Sequence, residues 1–183
     1  YNHMANTEFM MSLIRLTHHL RDNDISYCLY PIVFESLIPR ARNAAAAHFL
    51  DSDCSHLLFI DADIEFEPES VVKLLRHNRE VIAGVYPKKY YMWDRALTGE
   101  EAVDFPFGGE VHFNQDGLIE TTYLPTGFLM IKREVFIKIA SNKPELKYKN
   151  DIDGYGQLDT FYNFFRSGVH TVSYTHLTLP TKA

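Results

Sequence analysis

The chain has 183 residues, 46% of them apolar and 23% charged, which suits one globular domain able to bury a core. Its formal charge of −6 and pI near 5.8 exclude the basic footprint of a general nucleic-acid binder. Two cysteines exclude a disulfide framework and point to a reducing, cytoplasmic setting, and no apolar run reaches the roughly 18–20 residues of a membrane span.

Residues Glu8 to Arg21 place Phe9, Leu13, Leu16 and Leu20 at helical spacing, with Asn6 or Thr7 as N-cap. Ser26 to Phe34 (SYCLYPIVF) reads as a buried strand whose second half Pro31 demotes to an edge or bulge. Ser36 is placed to cap a helix that tolerates Pro39 in its first turn and runs through four consecutive alanines to about Leu50. His56 to Ile60 (HLLFI) is a short apolar strand ending in Asp61, and Pro68 opens a helix to His77. Glu80 to Tyr86 is the next strand. Helix and strand alternate at spacings that fit βαβ crossovers and a parallel sheet.

Beyond Pro87 the pattern loosens. Residues 87–109 read as a long loop, and a hairpin is expected about Gln115-Asp116-Gly117. Phe128 to Ile131 is a short strand, Glu134 to Ala140 a helix, and Lys143 to Gly168 shows no periodicity. The last twelve residues, VSYTHLTLPTKA (Val172 to Ala183), resemble the translation of a transposase sequencing adaptor and are left out of the fold expectation as a non-native tail. The expected domain is therefore 1–171, incomplete at both ends, since the chain also opens at Tyr1 without a methionine and shows no basic-then-apolar leader.

The acid is concentrated. From Asp51 to Glu69 there are seven carboxylates and no Lys or Arg, which describes either a solvated rim or a cation site. In open α/β sheets ligands bind beyond the carboxyl ends of strands, where Asp61 follows HLLFI directly. Asp63 lies two residues on, toward the same side. Two close carboxylates repel unless a cation lies between them, and hard oxygen donors suit Mg²⁺ or Mn²⁺ with positions left for water and phosphate oxygens.

The segment ARNAAAAHFLDSDCSHLLFIDAD (Ala41 to Asp63) resembles the family 2 glycosyltransferases of the GT-A fold. There, too, an Arg-Asn on a helix precedes small residues, an acidic turn, an apolar strand and a D-x-D. The resemblance implies an α/β, Rossmann-like domain with a mixed, mainly parallel sheet flanked by helices. It implies a nucleoside diphosphate sugar as donor and transfer of the sugar to an acceptor, whether glycan, lipid or protein. On it, Asp61 and Asp63 hold a Mn²⁺ or Mg²⁺ and touch the ribose–diphosphate, and Arg42 and Asn43 lie near the nucleotide. Arg40 and Glu35 are further nucleotide contacts, and the turn at Gly127, in Pro125-Thr126-Gly127-Phe128, faces donor sugar and acceptor.

Other residues carry less. Lys88 and Lys89 could meet an anion, and Tyr90, Tyr91 and Trp93 could stack on a sugar ring. His48, His56 and His112 lack metal spacing and read as packed or surface histidines. Family members place a general base, and often a third metal ligand, well after the D-x-D. Asp151, Asp153 and Asp159 do not match that pattern, so the chain reads as a donor-binding half without its catalytic base. The competing readings are a nucleotidyltransferase of related fold and a non-catalytic nucleotide-sugar-binding protein. A haloacid-dehalogenase-type phosphatase fits poorly, because Ile64-Glu65-Phe66 follows the D-x-D and the strand is not the first.

Overall fold

The structure, a computed structural model, describes residues 5–32, 35–86, 113–121, 124–150 and 158–166. Lys88, Lys89, Tyr90, Tyr91, Trp93, His112, Asp151, Asp153 and the 172–183 tail lie outside them, as does the whole of the expected 87–109 loop. Among the described residues there are four α-helices, α1 (Thr7–Asp22), α2 (Ile38–Leu50), α3 (Pro68–His77) and α4 (Arg133–Asn142), and three strands, β1 (His56–Ile60), β2 (Val81–Ala83) and β3 (Phe128–Lys132). A 3₁₀ turn covers Pro144–Leu146.

The chain is α/β, but its sheet is not the parallel one expected. The strand order is β1-β3-β2, and β3 runs antiparallel to both neighbours. The α3 crossover from β1 to β2 leaves a one-strand gap, which β3 fills. The reason is burial: FLMIK is apolar on both faces, so it belongs at the centre of a sheet rather than at its margin. Leu129 and Ile131 point into one core with Ala45, Ala46, Phe49, Val135, Phe136 and Ile139. Phe128 and Met130 point into the other, with Leu16, Leu20, Ile64, Phe66, Val71, Val72, Leu74 and Ile82. The sheet is therefore sandwiched between α2 and α4 on one face and α1 and α3 on the other.

The helices form for the expected local reasons. Asn6 is the N-cap residue of α1, and Pro68 is at the start of α3. Asn78 ends α3 in the left-handed conformation, at φ 51°. Ala44, Ala46 and Ala47 of α2 are almost completely buried, and small side chains permit that approach. Ser36 does not cap α2. Its N-cap residue is Leu37, whose N–H is received by Glu35 Oε1 at 2.9 Å.

Two further expectations are corrected. Of the strand expected over Ser26 to Phe34, the described residues 26–32 pair with nothing in the sheet, and Tyr27, Leu29 and Tyr30 are about half exposed. Pro31 lacks the N–H a ladder needs. The segment touches the body through Tyr30, whose ring lies 4.5 Å from that of His48. The aperiodic end, by contrast, supplies core. Phe161, Phe164 and Phe165 are fully buried, Phe164 edge-on to Phe136 at 5.0 Å and Phe165 edge-on to Phe59 at 5.3 Å. The turn at Gln115-Asp116-Gly117 is present, bridged by Phe113 and Ile119, with Gly117 at φ 72°, where glycine avoids the Cβ penalty.

Candidate functional site at the carboxyl end of β1

Antiparallel insertion of β3 has a consequence for chemistry. The loops leaving β1 and β2 and the turn entering β3 meet at one edge of the sheet. A parallel β3 would have carried Gly127 to the opposite edge. Ile60 pairs with Phe128, and the next residue, Asp61, donates its N–H to the Gly127 carbonyl at 2.8 Å. From β2, the Gly84 N–H reaches the Phe128 carbonyl at 2.9 Å. A Cβ on Gly84 would run into the Phe128 ring, so the glycine leaves the room that this ring occupies.

The acidic loop is held from three sides. Ala62 O accepts the N–H of Asn6, at the start of α1, at 3.1 Å. Ser12, fully buried in α1, accepts the Phe66 N–H at 3.1 Å. The Ile64 N–H closes a turn onto Asp61 O at 3.1 Å. Ile64, Phe66 and Pro68 are buried, whereas Glu65, Glu67 and Glu69 face solvent. This alternation divides the acidic run. The three glutamates form a solvated rim, and Asp61 and Asp63 stand apart from them at the sheet edge.

Arg42 lies behind Asp61. Its guanidinium sits 4.8 Å from the centre of the Phe59 ring and donates through Nη2 to Asp61 Oδ1 at 3.1 Å. The Arg42 side chain is 7% exposed and that of Asp61 50%. Arg42 Nε is buried without a hydrogen-bond partner among the described residues. Burial lowers the Arg42 pKa, and the Asp61 carboxylate opposes that shift. The cation is thus incompletely compensated.

Tyr86, three residues past β2, completes the edge, and nothing in its sequence context marked it. Its hydroxyl accepts the Gly127 N–H at 3.0 Å. Burial raises its pKa; the hydrogen bond from Gly127 works against this, Asp61 raises it further, Arg42 opposes, and Asp63 adds a last upward push. The phenol is therefore neutral near pH 7 and shares its electrostatic surroundings with both aspartates. A Cβ on Gly127 would lie 2.6 Å from the Tyr86 hydroxyl and 2.8 Å from Asp61 Oδ2, so both oxygens flank one small space.

The remaining expected contacts go elsewhere. Asn43 is buried, and its amide is occupied by the chain end: Nδ2 donates to Asn163 Oδ1 at 3.0 Å and to Phe165 O at 3.3 Å, and Oδ1 accepts the Phe165 N–H at 2.8 Å. Glu35 and Arg40 form an ion pair, with Arg40 Nη2 donating to Glu35 Oε1 at 2.7 Å and Nε to Oε2. The Glu35 side chain is 3% exposed, so it is a buried carboxylate ahead of α2 rather than a loop carboxylate in water. Of the seven residues singled out, the structure thus brings Arg42, Asp61, Asp63 and Gly127 together and adds Tyr86.

Set against known protein families, characterised proteins and solved structures, the chain matches none. The site must therefore be argued from its own chemistry. Among the described residues no three His, Cys, Asp or Glu side chains cluster as a closed metal cage. What is present is the half-exposed Asp61 carboxylate, whose Oδ2, unlike Oδ1, makes no hydrogen bond among the described residues, with the exposed Asp63 two residues on. Such a donor set fits Mg²⁺ or Mn²⁺, which keep several positions for water and ligand oxygens. Cys28 and Cys54 are free thiols, and no helix among the described residues is long and apolar enough to cross a membrane.

Proposed function

We propose that this chain is the donor-binding part of a metal-dependent glycosyltransferase, transferring a sugar from a nucleoside diphosphate sugar to an acceptor. The observation that carries the reading is Asp61 at the carboxyl end of β1, backed by a buried arginine and faced by a glycine with no room for a side chain. Asp61 and Asp63 would hold the Mn²⁺ or Mg²⁺, which when bound offsets charge growing on the departing diphosphate. Arg42 supplies a fixed positive charge behind them that solvent does not screen. Gly127 keeps the space in front of Asp61 open for the sugar–phosphate end of the donor. The two free thiols support a reducing, cytoplasmic setting for this reaction.

Thermal unfolding with UDP-sugar or GDP-sugar, with and without Mn²⁺ or Mg²⁺, tests the proposal. One of the two nucleotides is expected to raise Tm only with metal, by the equivalent of about 2.7 kcal/mol at a ligand concentration 100 times Kd. Asp61→Ala or Asp63→Ala should remove the response; Asp63→Ala should leave the unliganded Tm nearly unchanged, whereas Asp61→Ala should lower it, because it strands the buried Arg42 charge. Equal stabilisation with and without metal would sink the metal site.

A further inference from the structure

We propose that Tyr86 is a ligand-binding residue of this site, donating its phenol proton to a diphosphate oxygen of the nucleotide. The inference rests on the donor-binding reading above and names the group that receives the diphosphate beside the metal.

The argument is one of hydrogen-bond direction. A phenol has one proton to give and lone pairs to accept with. The Gly127 N–H, 3.0 Å away, occupies the accepting side and fixes the oxygen in place. Among the described residues the phenol proton has no acceptor. A half-buried hydroxyl locked as an acceptor and left with an unused proton is a donor awaiting an oxygen.

Position narrows what that oxygen is. Tyr86 Oη and Asp61 Oδ2 lie 2.6 and 2.8 Å from the same point, where a Gly127 side chain would otherwise begin. A phosphate oxygen brought to that point by a metal that Asp61 and Asp63 would hold could accept from the phenol. Metals of this kind take their remaining ligands from phosphate oxygens, which are strong acceptors, and charge-assisted donation to them exceeds that to a neutral hydroxyl. Asp61 is not the natural recipient, since its Oδ1 already receives Arg42 and its free oxygen is the metal's.

Tyr86→Phe deletes only the hydroxyl. Its effect is read as Kd by calorimetry for three probes on the full chain: Mn²⁺ alone, UMP with Mn²⁺, and UDP with Mn²⁺, using GMP and GDP where the guanine nucleotides bind instead. The expected result is roughly 3- to 10-fold weaker diphosphate binding, with Mn²⁺ and monophosphate affinities unchanged. Tyr86→His, which restores a donor on a ring, should recover part of the loss. A merely structural tyrosine would weaken all three probes together, and that overturns the proposal. If the parent protein binds neither UDP nor GDP with metal, the donor-binding reading itself falls. Binding by the parent with no change in Tyr86→Phe removes this inference alone.

Discussion

Two arginines, at opposite ends of the β1–β3 pair, are alike in placement and opposite in saturation. Arg42, in the first turns of α2, stacks on Phe59 at 4.8 Å, and Arg133, at the start of α4, stacks on Phe49 at 4.6 Å. Arg133 donates to the carbonyls of Cys54, Phe49, Leu50 and Ser52 at 2.7, 2.7, 3.2 and 2.6 Å. It closes the carboxyl end of α2, where orphan carbonyls and the helix dipole favour a cation. Arg42 has one carboxylate and an unpartnered Nε. A saturated guanidinium is a structural clamp. One buried with a donor to spare carries a cost in stability, which the proposed function attributes to receiving an anion. A 320 Å³ groove beside Arg133, lined also by Leu50, Ile137 and Tyr162, meets an arginine whose donors are already committed.

Breaking the clamp should have the larger effect. Arg133→Ala is expected to destabilise by about 3 kcal/mol in denaturant unfolding, because it strands several carbonyls and the 51–55 turn. Its nucleotide affinity should stay at the parent value. Arg42→Met sharpens the contrast: it keeps the stack on Phe59 and removes an undercompensated buried charge. Stability should change by less than about 1 kcal/mol in either direction, while nucleotide affinity falls about tenfold. A large stability loss in Arg42→Met would make both arginines structural and dissolve the comparison.

The smallest effect belongs to His56, beside Ser55 at the Arg133 end. Burial, then Lys132 across the sheet, lowers its pKa from the usual value, with Glu134 opposing. The unfolded chain therefore takes up this proton first as pH falls. Stability is full above about pH 6.5 and is lost progressively below it, until the folded histidine also protonates. His56→Gln should flatten the Tm profile between pH 7.5 and 5.5. An unaltered slope would mean that the proton is taken up elsewhere.

What the sequence determined about this protein is what neighbours in the chain decide. Phe9, Leu13, Leu16 and Leu20 specify α1, four alanines make α2 a close-packing helix, and the apolar HLLFI followed by Asp-Ala-Asp sets two carboxylates at a strand end. Those follow from periodicity, caps and short-range sterics, which act over a few residues. The sheet's direction did not follow, because an apolar five-residue run such as FLMIK pairs equally well either way until its neighbours are known. Nor did the fate of Asn43, whose partners are 120 and 122 residues distant. The aromatic cluster at 161–165 was visible as composition but, without a period, could not be assigned to a face. Tyr86 lay in plain view as the last residue of the apolar run expected to be a strand, of which only Val81–Ala83 is one. It joined the site only because β3 runs backward between β1 and β2 and carries Gly127 to the same edge as Asp61, where backbone pairing across the sheet, rather than any local signal, sets the spacing.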